Sequence, residues 1–409
     1  MRILHINTFP NGGASNACIR LHQGLINEGV GSELLFAERN RNGIGHNFQQ
    51  WYQKKDWTLL DRLGRRRLFE KWKKWHQKAQ FIAKGYEPFN IPFSIYPVDR
   101  HPAVRQADLI HLHWIGNFID ILSFFKNVSQ PIVWTLHDLN PALGGMHFRA
   151  GYDLEKISWL EDKLISIKKK AVSSHQNVTI AAPSNWLLEE AKQSPALSSA
   201  RKHICIPYGI DTTVFSPYAD REDLRKKMIN DYRPGTKYLL MVADRLDNRR
   251  KGISFLIQAV KFLEQQSFPI AILLAGKADQ VLLEKMPVST QCFGFVADEK
   301  EMNLLYNIAD VFVHPAVEDN LPNTVLESLC AGTPVAGFNI GGMPDMVKSG
   351  SNGFLARDVD PAQLAEQIKK VIDSQFDNNE IGHNASQFYN LNRQARNYQA
   401  LYQEISEMP

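Results

Sequence analysis

The chain has 409 residues, 44% hydrophobic and 22% charged, with a net charge of +4; this is ordinary globular composition and more than one core usually holds, so two domains are expected. No run of about 18 apolar residues occurs, and "MRILHINTFP" lacks a signal-peptide pattern, so a cytoplasmic location is expected. Cys18, Cys205, Cys292 and Cys330 lie far apart in apolar stretches without a CxxC pair, which argues for free thiols and against disulfides, a thiolate metal site or redox chemistry.

The first predicted strand, 2–7, leads through "TFPNGGAS" into a helix over 14–28 and a strand over 32–37. Gly12 and Gly13 in that turn allow close approach of a ligand, although the turn does not match GxGxxG. Residues 54–84 hold eleven Lys/Arg against Asp56, Asp61 and Glu70, a local charge of +8. Trp57, Leu60, Leu68, Trp72, Trp75, Ala79 and Ile82 recur there at mostly three-to-four spacing, with Gly64 as the expected break. The pattern suits an interfacial helix on an anionic membrane surface, the alternative being a helix packed on its own domain.

Strands near 108–112, 131–136 and 178–182 alternate with helices near 117–126, 155–173 and 185–193, the βαβ pattern of a parallel sheet. "HLHW" is expected to send His111 and His113 to opposite faces, so that they do not share a metal. His137 and Asp138 in "TLHD" follow a strand directly, ahead of the Gly144–Gly145 turn, where such folds keep their ligands. "CIPYGIDTTVFSP" (205–217) reads as the linker.

Alternation restarts with strands near 237–243, 269–275, 290–293, 310–313, 334–337 and 353–355. Arg245 and Lys251 bracket the loop after the first of these, two cations suited to a diphosphate. In "VEDNLPNTVLESLCAGTPV" (317–335), Pro322 and Gly332 bound a short helix whose first N–H groups point toward Asp319 and Asn320, an end that attracts phosphate. Asn323 and Glu327 form a polar stripe beside the apolar Val325, Leu326, Leu329 and Cys330. Asp358 and Asp360 precede Pro361 and a helix, so they are read as capping acids and no metal is assigned. From about Leu391 the tail reads as one more helix.

These residues make the chain resemble glycosyltransferase family 4, retaining nucleotide-sugar transferases of the GT-B fold. The hallmark is an acid, seven residues, then Glu, here Asp319 to Glu327 in "DNLPNTVLE"; "RLDNRRKG", "TLHD", "PYGID" and "CAGTPV" follow the family's order. The resemblance implies an α/β chain of two Rossmann-like doubly wound domains facing across a cleft: an acceptor-binding domain over 1–207, a nucleotide-sugar-binding domain over 208–388, and a helix over 389–409 returning to the first. It implies that Glu327 binds ribose hydroxyls and that Asp319, where the family usually has Glu, binds the transferred sugar. Arg245, Lys251 and the backbone of Asn320, Leu321, Asn323 and Thr324 would meet the diphosphate. His137 would position the donor sugar, and Gly12 and Gly13 would line the acceptor side near the phosphates. The expected function is metal-independent, cofactor-free hexosyl transfer from a nucleotide-sugar to a glycan or lipid-linked glycan in bacterial surface polysaccharide synthesis, by an enzyme peripheral to the inner face of the membrane. The alternatives are a GT-B nucleotide-sugar epimerase or phosphorylase and, with less support, nucleic-acid binding through the basic segment, which leaves Glu327 unexplained.

Overall fold

The computed structural model describes residues 1–37, 48–50, 59–85, 87–263 and 268–407, with backbone alone at 48–50 and 59–69. The chain divides into two compact units, Met1–Tyr208 with Asn392–Pro409, and Gly209–Leu391.

The first unit holds β1 (Arg2–Asn7), β2 (Gly31–Phe36), β3 (Phe48–Gln50), β4 (Leu109–Leu112), β5 (Ile132–Thr135), β6 (Val178–Ala182) and β7 (Lys202–Cys205). They form one parallel sheet in the order β3-β2-β1-β4-β5-β6-β7. The order reverses between β1 and β4, which opens a crevice beyond their carboxyl ends. One face of the sheet is apolar throughout, with Leu4, Ile6, Ile110, Leu112, Ile132, Trp134 and Ile180 in one core. The other begins apolar with Ile3, Leu109 and Val133, packed on Leu21 and Leu25 of the helix Gly13–Asn27 and on Tyr398, Leu401 and Tyr402 of the helix Leu391–Glu407. Toward the carboxyl ends this second face turns polar.

The second unit holds β8 (Lys237–Arg245), β9 (Ile270–Lys277), β10 (Thr290–Cys292), β11 (Val311–His314), β12 (Val335–Phe338) and β13 (Gly353–Ala356). This sheet is also parallel, ordered β10-β9-β8-β11-β12-β13, with its reversal between β8 and β11. Near-continuous burial of β11 and β12 is what a parallel sheet covered on both faces requires.

Three expectations are corrected here. The basic segment forms one unbroken helix, Leu59–Ile82, through Gly64, because a single glycine costs only about 1 kcal/mol against the rest of a long helix. Trp72, Trp75, Ala79 and Ile82 pack on Ile157, Leu160 and Leu164 of the unit's own helix Leu154–Ser173, and Trp72 Nε1 donates to the Phe93 carbonyl at 3.0 Å. That apolar stripe is therefore occupied by the protein; Trp57 and the side chains of Leu60 and Leu68 lie outside the described residues. β7 occupies Lys202–Cys205 and so takes Cys205, the first residue of the segment read as linker, where half-buried residues gave no alternation to detect.

Candidate active site

Two loops meet at the reversal point of the second sheet. After β8 the chain makes a single turn at Arg249–Lys251 and passes through Gly252 in left-handed conformation (φ 78°) into the helix Ile253–Leu263. A Cβ at Gly252 would overlap the Pro315 carbonyl oxygen, so glycine is what lets this turn lie against the loop after β11. Val317 N donates to the Arg250 carbonyl at 2.9 Å and the Arg250 guanidinium to the Glu318 carbonyl at 2.7 Å, tying the loops together.

This docking brings Lys251 Nζ to 2.6 Å from Asp319 Oδ2, with Arg250 and His314 each at 3.5 Å. Asp319 is buried. Burial alone would raise its pKa, but the Lys251 ammonium and Arg250 guanidinium outweigh it and hold the carboxyl well below the usual range. Burial conversely pushes the His314 imidazole down, against the pull of Asp319. The site thus holds an ionised acid inside a basic pocket.

Asn320 and Leu321 follow, both buried, and Asn320 N lies 3.1 Å from Asp319 Oδ1. Pro322 caps the helix Asn323–Cys330, and Gly332, at φ 78°, follows its end. Asn323 and Thr324 form the helix's half-exposed start. Glu327 sits one turn on, buried, and accepts from Tyr306 Oη at 2.8 Å.

Arg245 is placed differently. Its guanidinium is 65% exposed and bonds Asp247 at 2.6 Å within its own loop. The cation that joins Lys251 at Asp319 is Arg250, not singled out from the sequence because adjacent Arg249 and Arg250 are equivalent until the turn buries one of them. Tyr306 and His314 were also missed; His314 carried the same signal as His137, a histidine ending a predicted strand. Asp360 accepts from Gln363 N at 2.9 Å as the cap of the helix Pro361–Asp373, and Asp358 accepts from the Gln363 side chain.

In the first unit, Gly12 (φ 93°) begins the helix Gly13–Asn27, with no described atom within 4 Å of where its Cβ would stand. His137 lies half-buried beyond β5, with Nδ1 2.7 Å from Tyr208 Oη and Nε2 3.0 Å from His113 Nδ1. Burial holds its imidazole down at about 4, with Asp138 opposing. Asp138 itself accepts from His147 Nδ1 at 2.6 Å and Trp114 Nε1 at 3.0 Å. The Gly144–Gly145 turn is anchored by Glu161, whose carboxylate accepts both backbone N–H groups at 2.7 Å.

The expectation that His111 and His113 point to opposite faces is wrong: their rings stack at 4.3 Å. Residues two apart on a strand share a face, since side chains alternate with period two. His111 bonds Thr135 Oγ1 and Tyr402 Oη, each at 2.6 Å.

Residues 224–388 match the family described as Glycosyl transferases group 1. The chain is 26% identical to the putative glycosyltransferase EpsD of Bacillus subtilis (strain 168), over 70% of this chain and 75% of that one. It is 29% identical to the capsular polysaccharide biosynthesis glycosyltransferase CapM of Staphylococcus aureus, over 33% and 37% of the two chains. The structure of Anabaena HepE in complex with UDP and glucose superposes with a TM-score of 0.66 at 16% identity, covering 99% of this chain and all (100%) of that one. Residues 224–388 are thus similar to the glycosyl transferases group 1, and the two doubly wound units have the GT-B fold.

Proposed function

We propose that this enzyme is a retaining family 4 glycosyltransferase that moves a hexose from a nucleotide-sugar to a glycan or lipid-linked glycan acceptor in surface polysaccharide synthesis. The observation that carries the reading is the ionised, buried Asp319 held by Lys251 and Arg250 beside the start of the Asn323–Cys330 helix, eight positions before the buried Glu327. Lys251 and the N–H groups around Asn320–Thr324 meet the diphosphate, whose leaving oxygen gains negative charge at the transition state. A preorganised set of donors there is worth several kcal/mol without a metal. Glu327 accepts from the ribose hydroxyls, and Asp319 from hydroxyls of the transferred sugar. The acceptor hydroxyl then attacks the face from which the diphosphate leaves, giving its proton to a phosphate oxygen. HepE, with its bound UDP and glucose, supports a uridine donor, and CapM supports a place in polysaccharide biosynthesis.

The test is release of nucleoside diphosphate from sugar nucleotides chosen by thermal-shift screening. Release that requires added acceptor supports transfer. Isomerisation of the donor without acceptor would instead favour an epimerase.

A further inference from the structure

Three histidines, His5 on β1 and His113 and His137 just past the ends of β4 and β5, form a row in the polar half of the first sheet. His5 Nδ1 lies 3.0 Å from His113 Nε2, and His113 Nδ1 lies 3.0 Å from His137 Nε2. His137 Nδ1 ends the row 2.7 Å from Tyr208 Oη. β1 pairs β4 and β4 pairs β5, with His5 in register with His111, so the row climbs from the sheet interior toward its carboxyl edge. His5 and His113 are fully buried, and burial pushes all three imidazoles down, leaving them neutral.

A neutral imidazole carries one N–H and one bare nitrogen. Each nitrogen–nitrogen contact needs one donor and one acceptor, so the row has only two arrangements. Either all three rings carry the proton on Nδ1, or all three carry it on Nε2. His5 Nε2 decides between them: among the described residues nothing hydrogen-bonds to it. In the first arrangement that atom is a bare lone pair; in the second it is a buried N–H without an acceptor, the rarer and costlier kind of orphan.

We propose that His5 and His113 are positioning residues that lock His137 in the Nδ1–H tautomer, so that Nε2 faces inward as an acceptor and Nδ1 is a fixed donor. Whatever oxygen meets Nδ1, Tyr208 Oη here or a sugar hydroxyl that replaces it, must accept. This consequence for the sugar rests on the transferase reading above; the tautomer lock does not. Cys18 lies beside the row, its Sγ within 4.8 Å of ring nitrogens of His5 and His113. Burial pushes that thiol well above its usual range, and a metal taking either His113 nitrogen would have to open one of that ring's two bonds in the row.

The experiment is ring ¹H–¹⁵N correlation on the full chain labelled with ¹⁵N-histidine, rings assigned by single substitution. His113 and His137 should both be protonated on Nδ1. His5→Leu should release His137, which His5 does not touch, toward the Nε2–H form. His5→Asn, whose amide can donate from the position of Nδ1, should restore the native pattern. With donor and acceptor, His5→Leu and His113→Leu should lower kcat about tenfold or more at nearly unchanged donor KM, the scale seen when a partner that orients an imidazole is lost. An Nε2–H proton on His137 in the native protein would overturn the proposal, and this spectrum alone decides if the leucine variants do not fold. So would a His137 pattern indifferent to a folded His5→Leu, or stoichiometric metal in the purified chain by mass spectrometry. The spectra need no substrate, so a native Nδ1–H row in a chain that transfers no sugar would sink the transferase reading and leave this one standing.

Discussion

Asp319→Ala removes the carboxylate that faces Lys251 at 2.6 Å and Arg250 and His314 at 3.5 Å. Removing one partner of a buried ion pair costs about 3–5 kcal/mol, because the charge left behind is uncompensated. The low end applies here: the Lys251 side chain is 24% exposed and can turn to water, and Arg250 keeps its bond to the Glu318 carbonyl. A loss of about 3 kcal/mol in a unit of this size lowers its unfolding midpoint by roughly 6–12 °C. Glu318→Ala, at a half-exposed neighbour, should cost about 1 kcal/mol or less, the range of an exposed charge. Calorimetry on both variants gives the stability difference, and nucleoside diphosphate release gives the functional one. Asp319→Ala should abolish transfer while Glu318→Ala leaves most of it. Equal losses in either assay would mean that the acid reaching the sugar has been assigned to the wrong residue.

Lys251→Ala should cut turnover more than Arg245→Ala, since Lys251 stands at Asp319 whereas Arg245 is exposed and engaged with Asp247; the reverse order in kcat/KM would move the diphosphate to the Arg245 loop. The depressed pKa of Asp319 also sets a pH dependence: its unfolded pKa is about 3.9, so its contribution is fully present above that value and lost as pH falls through the lower folded pKa. The stability gap between the native protein and Asp319→Asn should therefore stay constant from pH 7 to about pH 5 and narrow as pH falls below about 4, and a gap that widened on acidification would contradict the assignment. Transfer should survive excess chelator, and strict dependence on Mg²⁺ or Mn²⁺ would bring Asp358 and Asp360 back into consideration. No helix among the described residues is long and apolar enough to cross a membrane, and the Trp72–Ile82 stripe is packed on its own unit. Sedimentation with anionic vesicles should then be wholly salt-sensitive and drop when Arg65, Arg66, Arg67, Lys73 and Lys74 are neutralised, while salt-resistant binding would require a buried apolar contact instead.

The class of fold is legible in the order of the predicted elements. Short β-branched runs alternating with amphipathic stretches leave only parallel strands joined by crossover helices, and nearly every predicted strand lies within a residue or two of its place in one of the two sheets. Also legible is the helix bounded by Pro322 and Gly332, because capping and left-handed turns are local chemistry. Tertiary structure alone decided which cation faces Asp319. Arg245 at the end of β8 and Arg249, Arg250 and Lys251 in the turn after it are all basic, and only the docking of Gly252 on Pro315 turns Arg250 inward and leaves Arg245 outside. The buried histidines were half legible. Period-two alternation was enough to place His111 and His113 on one face, and the expectation failed by misapplying it. What no local pattern contained is that His5, more than a hundred residues away, and Tyr398 and Tyr402, from the far end of the chain, close on the same face. Such contacts depend on which strands become neighbours and which helix covers them, and that is set by burial of the whole sheet, not by any stretch of sequence short enough to read.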